Sequence, residues 1–242
     1  MTVSLSLERS CSNDLVIMID ALRASTTITS ALQRFNTVIP VKSIENAVNI
    51  AGGLDARLAG EREGAKIDGF DVGNSPVDIL KFNGEVLVLT TTNGTRVLEG
   101  MNAKVLIGSF TNAEAVAIKA IEHADQHIEL VMAGVKGRFV IEDFLSAGEI
   151  LSHIIHLEDQ EMDEMALAAL MASLDKDMVD NMTETRHPND APSRFKVTTN
   201  IEETKKIFAE MAKGKDQKYV VNAQIADVMK EMWAAKQARR LS

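Results

Sequence analysis

Four short runs of aliphatic residues constrain the fold of this chain more than any other feature of its sequence. They cover residues 15–19, 86–89, 105–107 and 128–132, and each is followed by a polar or glycine-containing loop and then by helical periodicity. Continuous Val, Ile and Leu strands that alternate with helices are typical of a mainly parallel sheet covered on both faces. We therefore predict an α/β fold in a three-layer arrangement, with a largely parallel or mixed sheet, and the pattern allows two similar lobes.

Local chemistry predicts where several helices begin. Residues 28–35 have helical spacing, and Ser43 precedes a further predicted helix over residues 45–58. Thr111 and Glu114 have the spacing of a capping box in front of another helix.

The 242 residues can bury a substantial core, as one domain or as two packed lobes. No linker divides the chain, so we predict a single domain over residues 1–242. Its chemistry-bearing segments lie in residues 15–150, and a divergent, acidic and methionine-rich helical part follows in residues 151–242. In that last part we predict an exposed loop at 186–193 and helices around 201–212 and 223–240.

Ligands of open α/β sheets gather outside the carboxyl ends of the strands. We therefore expect the four loops to lie along one edge and to share one site. The segment LTTTNGTR, residues 89–96, supplies hydroxyls, an amide, a glycine and the guanidinium of Arg96 directly after an apolar strand. An ordinary Asn93-Gly94 turn explains part of this composition. The density of hydrogen-bond donors is better suited to a site that surrounds an oxyanion.

Asp20 and Arg23 follow the first apolar run and precede Ser25 and Thr26 at a predicted helix start. An aspartate at a strand end can ligate a metal or attack phosphorus as a nucleophile. The alternative is an ordinary helix cap. Arg23 favours a site, because a cation is unfavourable in the first turn of a helix unless an anion is bound there.

Residues 58–75 are rich in glycine and charge and show little periodicity, so we predict a long loop. A long loop inside a compact domain is usually functional. Glu61 and Arg62 pair a carboxylate with a guanidinium there, and Asp71 adds a second carboxylate. The alternatives are a solvated charged loop and a turn that leads into a helix capped by Ser75.

The segment AGVKGRFVIED, residues 133–143, places Gly134 and Gly137 between a strand and a helix whose first turn holds Glu142 and Asp143. Backbone amides in such a loop can bind a phosphate or sulfonate, and the carboxylates can hold a hard cation such as Mg²⁺. Acidic residues are also common at helix N-termini without any ligand. The glycine spacing does not match the P-loop or the dinucleotide fingerprint.

Composition excludes several classes of partner. The formal charge of -9 disfavours nucleic acid and anionic membranes, which bind basic faces. Cys11 is the only cysteine, so no internal disulfide can form and a reducing, intracellular setting is expected. No run is long enough to span a membrane and the polar N-terminus is unlike a signal peptide, so we expect a soluble cytoplasmic protein. A homo-oligomer is the usual expectation for a cytoplasmic enzyme.

Five blocks resemble, in this order and spacing, the 2-phosphosulfolactate phosphatase family. They are IDALRASTT, GEREGAKIDGFDVGNSP, LTTTNGTR, IGSFTNAEAVA and AGVKGRFVIEDFLSAG. The resemblance is close over residues 15–150 and fades beyond them. It implies a Mg²⁺-dependent phosphatase that converts (R)-2-phospho-3-sulfolactate into sulfolactate and phosphate, a step of coenzyme M biosynthesis in methanogenic archaea. The alternatives are a phosphatase for another small phosphorylated acid and a non-catalytic anion-binding protein of the same fold.

The resemblance also implies roles for individual residues. The catalytic set is Asp20, Arg23, Glu61, Arg62 and Arg96. The metal ligands and catalytic carboxylates are expected among Asp20, Glu61, Asp71, Glu142 and Asp143. The small anionic substrate is expected to contact donors in all five blocks, namely Ser25, Thr26, Asn74, Ser75, Thr91, Thr92, Asn93, Gly94, Thr95, Ser109, Asn112, Gly134 and Gly137.

Overall fold

The computed structural model of the chain describes residues 1–98, 101–174 and 219–220. The predicted loop at 186–193 and the predicted helices at 201–212 and 223–240 lie outside the described residues. The strands are β1 (Thr2–Leu7), β2 (Leu15–Ile19), β3 (Phe35–Val41), β4 (Arg57–Arg62), β5 (Ala65–Lys66), β6 (Gly84–Thr90), β7 (Lys104–Gly108), β8 (His127–Met132), β9 (Glu161–Met162) and β10 (Tyr219–Val220). The helices are α1 (Ala24–Ala31), α2 (Ile44–Leu54), α3 (Gly94–Val97), α4 (Ala113–His123), α5 (Ile141–Leu157) and α6 (Glu164–Ser173).

The chain forms two compact units, each with its own sheet. Of the described residues, 1–22 and 101–174 form the first unit, and 23–98 together with 219–220 form the second. The α/β class and the predominantly parallel strands are confirmed. The expectation that all four loops share the edge of one sheet is wrong, because β2, β7 and β8 belong to one sheet and β6 belongs to the other.

The first unit is built on a parallel sheet in the order β7-β2-β8-β1-β9. Strand β2 is buried along its whole length, as its run of five apolar residues requires. The core of the first unit is formed by the apolar side chains of β1, β2 and β8 together with those of α4, α5 and α6. Helices α5 and α6 approach so closely that a Cβ on Gly148 would lie 2.1 Å from the carbonyl oxygen of Ala169.

The second unit has a sheet in the order β10-β3-β6-β4-β5, in which only β5 runs antiparallel to its neighbour. Its core packs β3 and β6 against α2. Helix α2 begins as predicted, since the hydroxyl of Ser43 accepts the N–H of Asn46 at 3.1 Å. It ends at Leu54, where Asp55 adopts a left-handed conformation, so the predicted helix over 45–58 is too long.

Three longer strands, β1, β3 and β4, were not predicted. Pro40 in β3 and Gly60 in β4 weaken the signals of these strands, whereas the alternation of polar and apolar residues in β1 is typical of a half-buried strand and was overlooked. The segment 58–75 is therefore not one long loop. Its first residues belong to the sheet strand β4, and a hairpin joins β4 to β5. Phe35 is the first residue of β3 and not the last turn of a helix, since α1 ends at Ala31.

Two further local predictions need correction. The capping interaction before α4 involves Ser109 and Asn112, and not Thr111 and Glu114, because Asn112 Oδ1 accepts the N–H of Ser109 at 2.9 Å. Ser75 does cap a turn, with its hydroxyl accepting the N–H of Asp78 at 3.1 Å, but only a short 3₁₀ helix follows it.

The part after residue 150 is helical where it is described. Helix α5 continues to Leu157, a short strand β9 follows, and α6 begins at Glu164 with Asp163 as its side-chain cap. Within the described residues, no helix is long and apolar enough to cross a membrane.

Candidate active site

The first unit gathers polar residues at the carboxyl edge of its sheet. Strands β7, β2, β8 and β1 are parallel neighbours, so the residues that follow them meet at one edge. Ser109 follows β7, Asp20 follows β2, Gly134 lies beyond the end of β8, and Glu8 follows β1. We call these segments, with the first turn of α5, the first carboxyl edge.

Asp143 is the most constrained carboxylate of this edge. It is 2 % exposed, and its Oδ1 accepts the N–H of Ala21 at 2.8 Å while its Oδ2 accepts the N–H of Gly134 at 2.9 Å. The side chain thus joins the start of α5 to the loops that follow two neighbouring strands, β2 and β8. This arrangement fixes the backbone directly beside Asp20.

Asp20 and Glu142 are also buried, which places three carboxylates together at this edge. Burial raises the pKa of the Asp143 carboxyl well above its usual value, and the negative charges of Asp20 and Glu142 raise it further. The N–H groups of Ala21 and Gly134 oppose that increase in pKa. Burial of three carboxylates costs free energy, because each one is taken out of water.

The donor chemistry of this edge fits a hard divalent cation, since carboxylate oxygens are the ligands that Mg²⁺ takes in proteins. The side chains are not arranged as a closed cage: in the part of the chain that is described, no three His, Cys, Asp or Glu side chains converge on one point. Mg²⁺ usually keeps several waters and uses only one or two protein carboxylates, so an open set is compatible with it. Asp20 and Glu142 are the residues that would hold it.

Ser109 and Asn112, both predicted to bind substrate, are engaged with each other and with their own turn. Asn112 Oδ1 accepts the Ser109 N–H, and Asn112 Nδ2 donates to the carbonyl of Ile107 at 2.8 Å. The hydroxyls of Ser109 and Thr111 lie 2.6 Å apart. These contacts shape the segment that leads from β7 into α4.

The loop after β8 is a tight turn. Val135 and Arg138 exchange both backbone hydrogen bonds at 3.0 Å, with Lys136 and Gly137 at the tip in left-handed conformations (φ 50 and 81). Gly134 also has positive φ, and a Cβ there would lie 2.4 Å from the carbonyl oxygen of Arg138. Both predicted glycines are therefore required by the turn itself, while their contact with substrate stays a prediction.

The second unit has an equivalent edge, where β3, β6 and β4 end. We call the segments after these strands, with the chain around Asn74, the second carboxyl edge. Arg62 ties it together: Nη2 donates to the carbonyl of Lys42 and to Thr90 Oγ1, both at 2.7 Å, and Nη1 donates to the carbonyl of Glu61 at 2.7 Å. Its guanidinium therefore joins the ends of three strands.

Glu61 is buried and uses both carboxylate oxygens for backbone amides. Oε1 accepts the N–H of Thr92 at 2.8 Å, and Oε2 accepts the N–H of Gly64 at 2.7 Å. Glu63 and Gly64 have φ values of 53 and 82 and form the two-residue turn between β4 and β5. The carboxylate thus fixes the position of Thr92 relative to this turn.

The segment TTNGTR after β6 forms one short helix, α3. Thr95 Oγ1 donates to the carbonyl of Thr91 at 2.8 Å, and Asn93 accepts the N–H of Arg96 through its carbonyl at 3.0 Å. The hydroxyls of Thr91 and Thr95 therefore support the turn, with Gly94 buried between them. Arg96 is only partly buried and lies at the end of this turn.

Arg23, Ser25 and Thr26 occupy the start of α1. Arg23, and not Asp20, occupies the N-cap position of α1. Ser25 and Thr26 are buried, and their carbonyls accept the hydroxyls of Thr29 and Ser30 one turn later.

Asp71 and Asn74 differ sharply in their surroundings. Asp71 Oδ1 forms an ion pair with Arg57 at 2.8 Å, and its Oδ2 accepts the N–H of Leu58 at 2.8 Å, so this carboxylate anchors its segment to β4. Asn74 is 5 % exposed and its Oδ1 has no hydrogen-bond partner; Thr92 Oγ1 is likewise buried without a partner.

Two residues at the carboxyl edges, Glu8 and Lys42, were not predicted from the sequence. Glu8 has φ 68, and its carboxylate lies 3.4 Å from the position of a Cβ on Gly137. Lys42 follows β3 at the second carboxyl edge. Recognition of β1 and β3 as strands would have placed both residues at strand ends.

Known proteins match this chain along most of its length. The model of the 2-phosphosulpholactate phosphatase family matches residues 2–229. The chain belongs to this family. The match extends beyond residue 150, to residue 229.

Individual relatives agree with the family match. A 2-phosphosulfolactate phosphatase of Methanothermobacter thermautotrophicus is 50% identical over 183 residues, which cover 75% of this chain and 77% of the relative. A 2-phosphosulfolactate phosphatase of Methanocaldococcus jannaschii is 41% identical over 176 residues, covering 67% and 71% of the two chains. Within this family, the two carboxyl edges are the candidates for the phosphatase chemistry.

Proposed function

We propose that this chain is a phosphoric monoester hydrolase that converts 2-phosphosulfolactate, as its (R)-2-phospho-3-sulfolactate isomer, into 3-sulfolactate and phosphate. The observation that carries the proposal is the family match over residues 2–229, because it spans both carboxyl edges. The buried carboxylates of the first edge supply what a phosphoryl group needs when a hard cation is present. The arginines and uncharged donors of the second edge suit a polyanion.

We assign Asp20 and Glu142 as the residues that hold Mg²⁺, which would neutralise phosphoryl charge when bound. Asp143 holds the backbone of the Asp20 loop in place through the N–H of Ala21. We assign Arg23 and Arg96 to bind anionic oxygens, because a planar guanidinium can donate two parallel hydrogen bonds to an oxyanion. Arg62 is assigned a positioning role, because its guanidinium already donates to Lys42, Thr90 and Glu61. Asp71 and Glu61 are assigned positioning roles, since their oxygens accept backbone amides.

The decisive assay measures phosphate release from phosphosulfolactate by chelated protein, before and after Mg²⁺ is added. We expect no turnover with EDTA and recovery with Mg²⁺. Full activity of thoroughly chelated enzyme would remove the metal from the proposal. A panel of other phosphorylated acids separates this function from the alternative of a different substrate, and absence of release from every compound would favour the anion-binding alternative.

Metal binding is also measurable without turnover. Titration calorimetry with Mg²⁺ alone should detect binding to the wild-type protein and a large loss of affinity in Asp20→Asn, because an amide is an uncharged and weaker ligand for a hard cation. Asp159→Asn removes a carboxylate from the segment between α5 and α6 and serves as the matched control. Equal Mg²⁺ affinity in Asp20→Asn and wild type would contradict the assignment.

A further inference from the structure

Two buried polar groups at the second carboxyl edge lack hydrogen-bond partners. They are the hydroxyl oxygen of Thr92 and the side-chain oxygen of Asn74. Buried polar groups in native proteins nearly always have partners, so these two groups are candidates for contact with a ligand. Thr91 and Thr95, two further residues of this segment predicted to contact substrate, already bond to each other.

Both groups are brought to the same edge by the backbone. Ala59 and Val72 form a parallel bridge, so the chain from Val72 to Asn74 runs alongside β4 towards Glu61. Thr92 lies at the same edge because its N–H donates to the Glu61 carboxylate at 2.8 Å. Glu61 therefore fixes the backbone that carries the Thr92 hydroxyl and is a positioning residue.

The chemistry of this pair suits an anionic group that does not react. A hydroxyl donates one hydrogen bond, and a carboxamide presents its NH₂ after a half-turn of its terminal torsion. Neither brings a charge, whereas the transferred phosphoryl group needs cations to balance the charge that it carries through the reaction. A sulfonate keeps its single negative charge throughout and needs only fixed donors.

We propose that Thr92 and Asn74, positioned by Glu61, form a subsite that binds the sulfonate of the substrate and distinguishes it from phosphorylated acids without a sulfonate. This inference rests on the proposed function. A site built to hydrogen-bond one group discriminates strongly against an analogue that lacks it, because the buried donors are then left unpaired.

The test compares Thr92→Val with wild type on two substrates, phosphosulfolactate and 2-phospholactate, which has a methyl group in place of the sulfonate-bearing methylene. Thr92→Val should raise KM for phosphosulfolactate about 10- to 100-fold, as expected for loss of a hydrogen bond to a charged group, with kcat retained. Kinetics on 2-phospholactate should change much less. Thr92→Ser, which keeps the hydroxyl, should restore KM to within a few-fold of wild type.

Matched controls separate this effect from general damage. Thr2→Val makes the same substitution at the amino end of β1, in the other unit and at the opposite end of its strand from the first carboxyl edge, and should leave both substrates unaffected. Asn74→Asp places a negative charge in the subsite and should raise KM for phosphosulfolactate at least as much as Thr92→Val. A fall in kcat with unchanged KM in Thr92→Val, or an equal loss on both substrates, would overturn the sulfonate assignment.

Product inhibition gives an independent measurement. In Thr92→Val the inhibition constant of 3-sulfolactate should rise about 10- to 100-fold, while that of inorganic phosphate should stay the same. A rise in the inhibition constant of inorganic phosphate alone would show that the subsite binds the phosphoryl group, and it would refute the proposal. If the wild-type protein releases no phosphate from phosphosulfolactate, the proposed function fails separately. Calorimetric binding of 3-sulfolactate to wild type and Thr92→Val would then decide the subsite, with equal affinities refuting it.

Discussion

Gly60→Ala should separate β4 from β6 and thereby damage the second carboxyl edge. A Cβ on Gly60 would lie 2.5 Å from the carbonyl oxygen of Thr90 and 2.9 Å from Thr90 Cγ2, whereas ordinary contact begins near 3.4 Å. The carbonyl belongs to the sheet and cannot rotate away, so β4 must move by about 0.9 Å. Overpacking together with weakened ladder hydrogen bonds should lower the free energy of unfolding by about 2–4 kcal/mol.

The same displacement should impair catalysis, because Glu61 and Arg62 follow Gly60 directly in β4. A misplacement of about 1 Å can lower activity by about 100-fold. Urea unfolding and kcat/KM for phosphate release measure the two effects on the same preparations.

Gly52→Ala is the matched control, because a Cβ on Gly52 meets no atom within 4 Å and the residue lies in helix α2. Alanine is favoured over glycine in helices, so this variant should be about 0.5–1 kcal/mol more stable than wild type and fully active. The reasoning is refuted if the free energy of unfolding of Gly60→Ala lies within about 0.5 kcal/mol of the wild-type value and its kcat/KM is unchanged.

Further predictions concern the carboxylates and the arginine of the candidate site. The raised pKa of Asp143 favours its protonated form in the folded state, so its contribution to stability is present at acidic pH and is lost as pH rises through that pKa. The difference between the free energies of unfolding of wild type and Asp143→Asn should therefore decrease as pH rises from 4 to 8. An increase in this difference would contradict the prediction. Asp14 behaves oppositely: the N–H groups of Gln126, His127 and Asp125 lower its pKa, so Asp14→Asn should destabilise the protein at neutral pH and lose this effect as pH falls below the ordinary carboxyl value. Arg96→Lys keeps the charge but loses the planar guanidinium, so kcat/KM should fall by about 1–3 kcal/mol in transition-state stabilisation with little change in stability; unaltered kinetics would make Arg96 a surface residue of α3. Asp20→Asn should lose most activity, and rapid quenching of wild type should trap no phosphoenzyme if water attacks phosphorus directly, whereas a trapped, base-labile phosphoenzyme that is absent from Asp20→Asn would identify Asp20 as the nucleophile.

The sequence predicted four strands from their unbroken apolar runs. Strand β2 was predicted with its observed bounds, and residues 86–89, 105–107 and 128–132 lie inside β6, β7 and β8. A strand buried on both faces needs an unbroken apolar run, because neither of its faces meets water. The site residues that follow these strands were therefore placed correctly at strand ends.

Elements were missed where tertiary contacts override local preference. Strand β4 contains a glycine and ends in charged residues, which locally favour a loop, yet Gly60 is required because β6 passes too close for any side chain. Proline weakened the signal of β3 in a similar way, whereas β1 has the alternation of a half-buried strand and was overlooked. The division of the strands between two sheets depends on pairing partners distant in sequence, which no local pattern records.

The predicted carboxylates also illustrate how partners decide roles that residue type leaves open. Asp, Glu and their spacing are equally suited to holding a cation and to holding backbone amides, so five acidic residues were predicted as one set. In the structure Glu61 and Asp143 each accept two backbone N–H groups that belong to separate loops, and Asp71 accepts one N–H and an ion pair. A carboxylate that already joins two loops resists the reorientation that a metal ligand needs, because both amides would be left unpaired in a buried place. Asp20 and Glu142, the two other buried carboxylates, lie beside Asp143 at the first carboxyl edge, and they are the residues to which we assign the proposed cation.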